Sequence, residues 1–482
     1  MEKLMTSFVN LLRFHPKKTR CARIQWMCRI VLFLIFAGIF PTGLFSAKAQ
    51  TNAVAVVLTN SLSEPLSVLQ ALNIALQKNA QILRGRADLE AAHGVVIQTR
   101  AIVIPKLVAG ADYQQTDPHA IESFSSASGF GPEASDREWS GSIRLIQSIY
   151  EGGRITSSLR AAKLTREQAI LNYQTVVEDT LRDVRIAYDD ILLAQASIGV
   201  QESSVQLLSK ELEDTSHRFE AGTVPRFDVL RAEVEIANAR PRLSRAKNAY
   251  RIAKNNLSNL LGYDLPKEVG EDIPLNLTDK LNDAPYEIQI SDALRRAYEN
   301  RTELAALRKA ERLRAEDVTK AKSGYKPSVQ IFGGYGSRSS SFDNNLGRDV
   351  TGWFAGAQLN WNIFDGFLTR GKVIEAKALL ERAGVDVADF ARRIELEVRT
   401  AFSSFVEARE VLESQKKVQE QAEEALRLAK ARVEAGAATQ LDVLSAQTAL
   451  TEARSTQIQA LRDYSVAKTR LNRAMGNNIE QK

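Results

Sequence analysis

The feature that most constrains this chain is an internal duplication. Residues 218–262 recur as residues 432–476, at a constant offset of 214 and without a gap. Sixteen of the 45 aligned positions are identical, among them Gly222 and Gly436. Each copy has the pattern of a helix end, a short glycine turn and a second long helix that starts near a shared Asp-Val-Leu sequence. We therefore expect two homologous helical hairpins, and the function has to be compatible with both.

Apolar residues around these turns recur every seven residues. The first series is Ile170, Val177, Val184, Ile191, Ile198, Val205, Leu212 and Phe219. Such a repeat is typical of coiled-coil packing. As one helix, residues 154–220 would be about 100 Å long, which suits a strut or a tube wall better than a globular core. Pro241 is expected to kink or break the first return helix.

Two short segments with two-residue periodicity precede each hairpin. In the first half Leu107, Ala109, Ala111 and Tyr113 share one face, as do Trp139, Ile143, Leu145 and Ile149. In the second half Trp353, Ala355, Ala357, Leu359, Trp361 and Ile363 alternate with Gln358, Asn360 and Asn362. An apolar face opposite an amide face is typical of a membrane barrel strand. A soluble hairpin with one buried face is the alternative, and it would explain the first-half pair taken alone.

These patterns divide the chain into two repeats with flanking segments. A helical pattern covers residues 66–100 and is stopped by Pro105. The predicted segments are a signal peptide (1–49), an N-terminal extension (50–65), a first repeat of helix, two strands and hairpin (66–262), a linker (263–289), a second repeat (290–476) and a C-terminal tail (477–482).

The first 49 residues have the pattern of an export signal. A basic region ends at Arg29, an apolar run follows, and the run closes on Ala47-Lys48-Ala49. A transmembrane anchor is the alternative, but the run of about 17 residues is short for a spanning helix and contains Pro41.

Composition after this segment excludes several classes of protein. The formal charge of +6 comes from the signal, because 56 basic and 57 acidic residues follow it. No basic excess is left to bind nucleic acid. The only cysteines, Cys21 and Cys28, precede the apolar run, so no disulfide or cysteine-ligated metal is expected. The sequence contains no phosphate-binding loop, nucleophile elbow or metalloprotease motif. We therefore expect no enzyme activity, no catalytic residue, no cofactor and no metal.

Four amphipathic strands cannot close a membrane barrel, since the smallest closed barrels have about eight strands. An open edge in lipid would leave backbone groups without hydrogen bonds. Several chains must therefore share one barrel, and two, three or four copies would give about 8, 12 or 16 strands.

The duplicated Arg-Phe-x-x-Gly…Asp-Val-Leu hairpin, the strand ends Tyr150-Glu151-Gly152 and Phe364-Asp365-Gly366, and the signal resemble the TolC-like outer-membrane efflux proteins over nearly the whole mature chain. The resemblance implies a mainly α-helical fold with membrane β-structure. It implies a homotrimer, with a shared 12-stranded β-barrel in the lipid of the outer membrane and a periplasmic α-barrel of long antiparallel coiled-coil helices.

The function implied by the resemblance is a channel-tunnel of a tripartite efflux or type I secretion system. Such a tunnel is a passive exit duct that docks on a periplasmic adaptor protein and an inner-membrane pump. The alternative is a periplasmic coiled-coil adaptor or structural protein without a pore.

The resemblance also implies roles for residues at the hairpin tips. Asp442 matches a family position in a ring of carboxylates at the tunnel entrance, and Asp228 is its counterpart in the first hairpin. Three copies would place three carboxylates at each level, which would favour cations. Helix capping within Thr439-x-x-Asp442 is a second interpretation, and both can hold.

The family's gate also uses a Tyr, an Arg and a second Asp, and Val433, Ala438 and Ser445 stand at those positions here. The same hydrogen-bonded latch is therefore not available, and we hypothesise that Val433 and Leu441 form an apolar constriction. The tips expected to dock on the adaptor are Gly222, Thr223, Val224 and Pro225 in the first hairpin, and Gly436, Ala437, Ala438 and Thr439 in the second.

Overall fold

The computed structural model describes residues 65–120, 135–263, 273–339 and 346–477. The predicted signal peptide, residues 50–64 of the extension and residues 478–482 of the tail lie outside the described residues. Among the helices of the described ranges, none combines the length and the apolar composition that a membrane span requires.

The first repeat has the predicted order of helix, strands and hairpin. Its elements are β1 (Pro65–Leu66), α1 (Val68–Lys78), α2 (Ala80–Arg100), β2 (Lys106–Gln115), β3 (Arg137–Glu151), α3 (Arg154–Glu220) and α4 (Arg226–Leu261), with a 3₁₀ turn at Pro118–Ala120. The single helix predicted over residues 66–100 is wrong in one respect, because it is divided at Asn79. The Asn79 side chain accepts hydrogen bonds from the N–H groups of Gln81 and Ile82, at 2.7 and 3.3 Å. It thus caps α2 and ends the preceding helix.

The linker and the second repeat follow the same plan. Their elements are β4 (Asn276–Leu277), α5 (Ile290–Asn300), α6 (Thr302–Lys322), β5 (Ser328–Ser339), β6 (Asp349–Asn360), α7 (Leu368–Glu434) and α8 (Gln440–Ala474), with a 3₁₀ turn at Ser323–Tyr325. The linker strand β4 pairs in parallel with β1.

The long helices agree closely with the periodicity of the sequence. Helices α3 and α7 are each 67 residues long, which corresponds to about 100 Å. A break at Pro241 is wrong, because α4 continues through this residue. Ile236 and Leu257, on either side of the proline, are buried in clusters with α3 residues, so packing holds the helix across the missing hydrogen bond.

The four longer strands form one antiparallel sheet in the order β2-β3-β5-β6. Ala109, Ile143, Tyr335 and Trp353 stand opposite one another in one row across it, and Ala109, Ile143 and Trp353 belong to the predicted apolar faces. A bulge in β3 takes one residue of the predicted apolar face, Ile149, out of the regular strand pairing. Tyr150, and not Ile149, pairs with Val329, because Ile149 is the extra residue of the bulge.

Strand β6 ends at Asn360, so Trp361, Asn362 and Ile363 lie beyond the strand in which the sequence pattern placed them. The Trp361 indole N–H donates to the Tyr325 carbonyl at 3.2 Å. This residue therefore contacts the turn before β5 and does not extend the ladder.

Each repeat has its own apolar core near the middle of its 67-residue helix. In the first, Val184, Tyr188 and Ile191 of α3 are buried against α1, α4 and the linker. In the second, Val398 and Phe405 of α7 are buried against α5 and α8. Val184 and Ile191 belong to the predicted heptad series, so the seven-residue pattern identified the packed face of α3.

Candidate functional site

The two hairpins end in the same backbone turn. Gly222 and Gly436 have φ angles of 74° and 70°, a left-handed conformation that glycine adopts without strain. The N–H of Thr223 donates to the Arg218 carbonyl, and the N–H of Ala437 donates to the Arg432 carbonyl, both at 2.8 Å. Both turns are therefore Schellman motifs that end α3 and α7 and reverse the chain.

The tip residues are open to contact from outside the chain. Gly222, Thr223, Pro225, Gly436, Ala437 and Thr439 are exposed, and Val224 and Ala438 are half-buried. Nothing in the described part of the chain covers either turn, so both tips present backbone and small side chains to a partner.

The two tip carboxylates have different environments. The Asp442 carboxylate accepts hydrogen bonds from the N–H and the hydroxyl group of Thr439, at 2.8 and 2.9 Å, and these bonds lower the pKa of Asp442. At the equivalent position before Asp228 the chain has Pro225, which has no N–H, and no side-chain cap forms there. Helix capping therefore holds for Asp442 alone, and the selectivity roles of both acids stay predictions.

The two residues proposed for an apolar constriction lie in different surroundings. Val433 is half-buried in a cluster with Leu426, Val443 and Leu450, between α7 and α8. Leu441 lies outside this cluster and is 46% exposed. Val433 therefore contributes to the packing of its own hairpin, and the constriction stays a prediction.

Helix α8 packs on α3 along a polar seam, which we call the α3–α8 seam. Its pairs are Gln447–Glu211, Thr451–Ser204, Arg462–Asp190, Ser465–Asp189 and Arg473–Asp179, at 2.6 to 3.2 Å. Burial raises the pKa of three α3 carboxyl groups along it, those of Glu178 (to about 7), Asp189 and Glu211. The seam joins the two hairpins of one chain.

The equivalent faces of the other two long helices are uncovered. Leu444 of α8 is 4% exposed, whereas Leu230, the matching residue of α4, is 48% exposed. Arg473 is buried, and its α4 counterpart Asn259 is exposed. On α7, Val418 matches Ser204 of the seam and is also exposed. The duplication therefore leaves one open face on α4 and one complementary open face on α7.

The sheet also has two unlike faces. Trp353 and Leu359 stand exposed on the apolar face, as the alternation predicted, and Tyr335 of β5 is exposed beside them. The opposite face carries amides and hydroxyls, and the Gln330 amide donates to the Ser148 hydroxyl at 3.2 Å. It also carries two phenylalanines, Phe332 and Phe354, each of which stands opposite a glycine of the neighbouring strand.

Comparison with known proteins places these features in one family. A family model described as "Outer membrane efflux protein" matches residues 71–263 and 293–477. "Outer membrane protein TolC" of Escherichia coli (strain K12) is 23% identical over 439 residues, which cover 88% of this chain and 84% of that protein. "Cobalt-zinc-cadmium resistance protein CzcC" of Cupriavidus metallidurans is 25% identical over 455 residues, which cover 93% of this chain and 100% of that protein.

Solved structures share the fold. The outer-membrane channel OprN matches with a TM-score of 0.71 at 20% identity, over 85% of this chain and 90% of that chain. The outer membrane protein VceC of Vibrio cholerae matches with a TM-score of 0.71 at 19% identity, over 86% of this chain and 97% of that chain. The chain therefore belongs to the outer membrane efflux protein family, a family of outer-membrane channel proteins with a periplasmic tunnel.

Proposed function

We propose that three copies of this chain form the channel-tunnel of a tripartite efflux or type I secretion system. The trimer is a passive exit duct, with a shared 12-stranded barrel in the outer membrane and a helical tunnel in the periplasm. One observation carries the proposal: matched positions of the duplication are buried on α8, as at Leu444, and exposed on α4, as at Leu230.

This difference supports a ring of copies. If the repeats pack alike, α4 of one copy lies on α7 of the next as α8 lies on α3 within one chain. Each chain has one open face of each kind, so the contact between copies is head-to-tail. Such a contact closes into a ring when the rotation from one copy to the next adds up to a full turn. The sheet supports the same arrangement, because β2 and β6 are its two edges. Pairing β6 of one copy with β2 of the next leaves no edge in lipid.

The tips support docking on a periplasmic adaptor that is joined to an inner-membrane pump. They lie at the end of α3 and α7, about 100 Å along each helix from the sheet end. Their exposed turns are the part of the chain most distant from the apolar sheet face. A partner in the periplasm would therefore meet the turns at Gly222 and Gly436 first.

Two measurements test the proposal. Conductance in planar lipid bilayers tests the duct: the purified protein should open stepwise ion channels. If the protein opens no such channels, the alternative is favoured, a periplasmic coiled-coil protein without a pore.

Docking is tested in cells with a photo-crosslinker attached to a cysteine at Ala437. The captured proteins are identified by mass spectrometry. An adaptor with its pump is expected at Ala437 and not at the control position Glu381, which is exposed on α7 far from the tip. If the protein conducts but Ala437 captures no adaptor, the duct stands and the docking role of the tip is wrong.

A further inference from the structure

Strands β5 and β6 carry two reciprocal phenylalanine–glycine pairs. Phe332 stands directly opposite Gly356, and Phe354 stands directly opposite Gly334. The two phenyl ring centroids are 6.4 Å apart. Each strand therefore supplies one aromatic side chain and one residue without a side chain to the same small area of the sheet.

Both rings lie across the glycine of the opposite strand. A Cβ atom placed on Gly356 would be 2.7 Å from Phe332 Cζ, and 3.2 and 3.3 Å from the two Cε atoms. A Cβ atom on Gly334 would be 2.7 Å from Phe354 Cζ. Real Cβ atoms do not approach ring carbons so closely, because carbon atoms in contact lie about 3.5–4.0 Å apart. Each ring thus lies over the space that the missing side chain leaves, and the two ring planes are tilted by 49° to each other.

The pairs lie on the polar face of the sheet. Gln330 and Gln358 stand opposite each other on the same face as Phe332 and Gly356. Trp353, Tyr335 and Leu359 point to the opposite face. In the proposed barrel the apolar face meets lipid, so the polar face is the wall of the lumen. Three copies would place six phenyl rings on that wall.

We infer that these phenylalanine–glycine pairs set the open width of the barrel lumen. Glycine at position 356 lets the Phe332 ring lie against the wall, where it does not narrow the path of an exported molecule. This inference rests on the proposed function, since it needs the polar face to line a pore. It assigns a size-determining role to a residue without a side chain, far from the tip residues.

The surroundings of Gly356 explain why the ring, and not the strand, would move in a variant. The three nearest atoms to a Cβ at this position all belong to the far end of the Phe332 side chain. Rotation about the side-chain bonds of Phe332 relieves the overlap and turns the ring into the lumen. Gly334 differs, because a Cβ there would also overlap the Ile143 carbonyl oxygen of the backbone. Gly356 is therefore the position that tests the inference without disturbing the ladder.

The test is single-channel conductance in planar bilayers for the full-length assembled protein. Gly356→Ala should cause a loss of conductance. Gly352→Ala is the matched control, because it lies on the same strand and face and a Cβ there meets nothing within 4 Å. This control should conduct like the wild type. The double variant Phe332→Ala/Gly356→Ala should regain the wild-type conductance or exceed it, since no ring remains to be lifted.

Several results would overturn the inference. Wild-type conductance in Gly356→Ala would show that the ring does not enter the lumen. An equal loss in Gly352→Ala would show that any added methyl group on this face acts alike. If Gly356→Ala fails to assemble, with or without Phe332→Ala, the pair is needed for folding and does not set the width of the lumen. If the wild type itself forms no channel, the proposed function fails, and this inference fails with it.

Discussion

The Arg473 guanidinium group, in the last turn of α8, donates a 2.9 Å hydrogen bond to the Asp179 carboxylate in α3. The same guanidinium group donates to Glu303 of α6. Arg301, the residue before α6, is also buried, and pairs with Glu397 of α7 at 2.9 Å. Two buried arginines therefore join α3, α6, α7 and α8 at one level, where the two repeats meet.

Removing Arg473 should destabilise the protein strongly. Arg473→Met takes one of two arginine partners from each of the half-buried carboxylates of Asp179 and Glu303, which keep Arg182 and Arg301. Breaking a buried charge pair typically costs about 3–5 kcal/mol, and the remaining partners place the expected cost at the lower end of that range. The measurement is the free energy of unfolding in urea, followed by circular dichroism. Arg454→Met is the control, because Arg454 forms a more exposed pair with Glu423, and such pairs contribute about 0–1 kcal/mol. Equal effects of the two substitutions would contradict a structural role for the buried arginine.

Glu178 should give the protein a pH-dependent stability near neutrality. Burial raises its pKa to about 7, above the value of about 4.3 for an unfolded chain. The folded state then holds the proton more tightly, so the wild type loses stability as pH rises through about 7. The shift corresponds to on the order of 3 kcal/mol.

The Glu178→Gln variant isolates this effect from other titrating groups. We expect the stability of the wild type, relative to Glu178→Gln, to fall between about pH 4 and pH 7. Glu90→Gln, at an exposed position of α2, should follow the wild type. Thermal unfolding across this pH range measures the stability of all three proteins. Parallel plots of stability against pH for the wild type and Glu178→Gln would rule out the effect.

The two tip acids should affect ion selectivity and tip structure differently. Asp228→Asn should lower the preference for cations and leave the first tip intact, because no cap depends on this side chain. Asp442→Asn should lower the preference and also weaken the start of α8, since a neutral amide oxygen accepts from Thr439 less strongly than the carboxylate does. Reversal potentials in a salt gradient measure selectivity, and hydrogen exchange of the tip measures order. Unchanged reversal potentials in both variants would show that neither acid lines the pore entrance.

Val433→Ser should raise conductance if Val433 narrows the tunnel. Its half-buried position beside Val443 and Leu450 means that the variant also loses packing between α7 and α8. Leu441→Ser separates the two effects, because Leu441 is exposed and lies outside that cluster. Single-channel recording measures both variants. If neither changes conductance, these residues form no constriction.

Local periodicity was enough to predict much of the fold. The bounds of α3 match the predicted residues 154–220, because a seven-residue repeat is a property of one segment alone. The faces of the strands followed for the same reason. Asn79 shows a local signal that was present and not used, since Asn is a strong helix N-cap. Pro225 is another: a proline in the place of Thr439 already indicates that Asp228 cannot cap as Asp442 does.

Features that depend on contacts between distant segments were not predictable in this way. The bulge at Ile149 is set by the pairing of β3 with β5. The contact of Phe332 with Gly356 is set by the register of β5 against β6. The different burial of Leu230 and Leu444 depends on α8, and not α4, being the helix that packs against the other hairpin, and two repeats of similar sequence do not reveal that.

We propose that α7 of one copy packs on α4 of the next copy in the same way that α3 packs on α8 within one chain. Within one chain the Thr451 hydroxyl donates to the Ser204 hydroxyl at 3.2 Å. At the offset of 214, Ala237 of α4 corresponds to Thr451, and Val418 of α7 corresponds to Ser204. Both Ala237 and Val418 are exposed. Their Cβ atoms should then approach closely enough between copies for a disulfide, which needs about 3.5–4.5 Å.

The most direct measurement is oxidative crosslinking of the Ala237→Cys/Val418→Cys variant, with Cys21 and Cys28 replaced by serine. On a non-reducing denaturing gel we predict a ladder of covalent species that ends at three chains. The Ser204→Cys/Thr451→Cys control should crosslink within one chain and migrate as a single chain. If the control pair oxidises but the test pair yields only single chains, the copies do not meet in this way. A ladder that ends at another number would contradict the trimer.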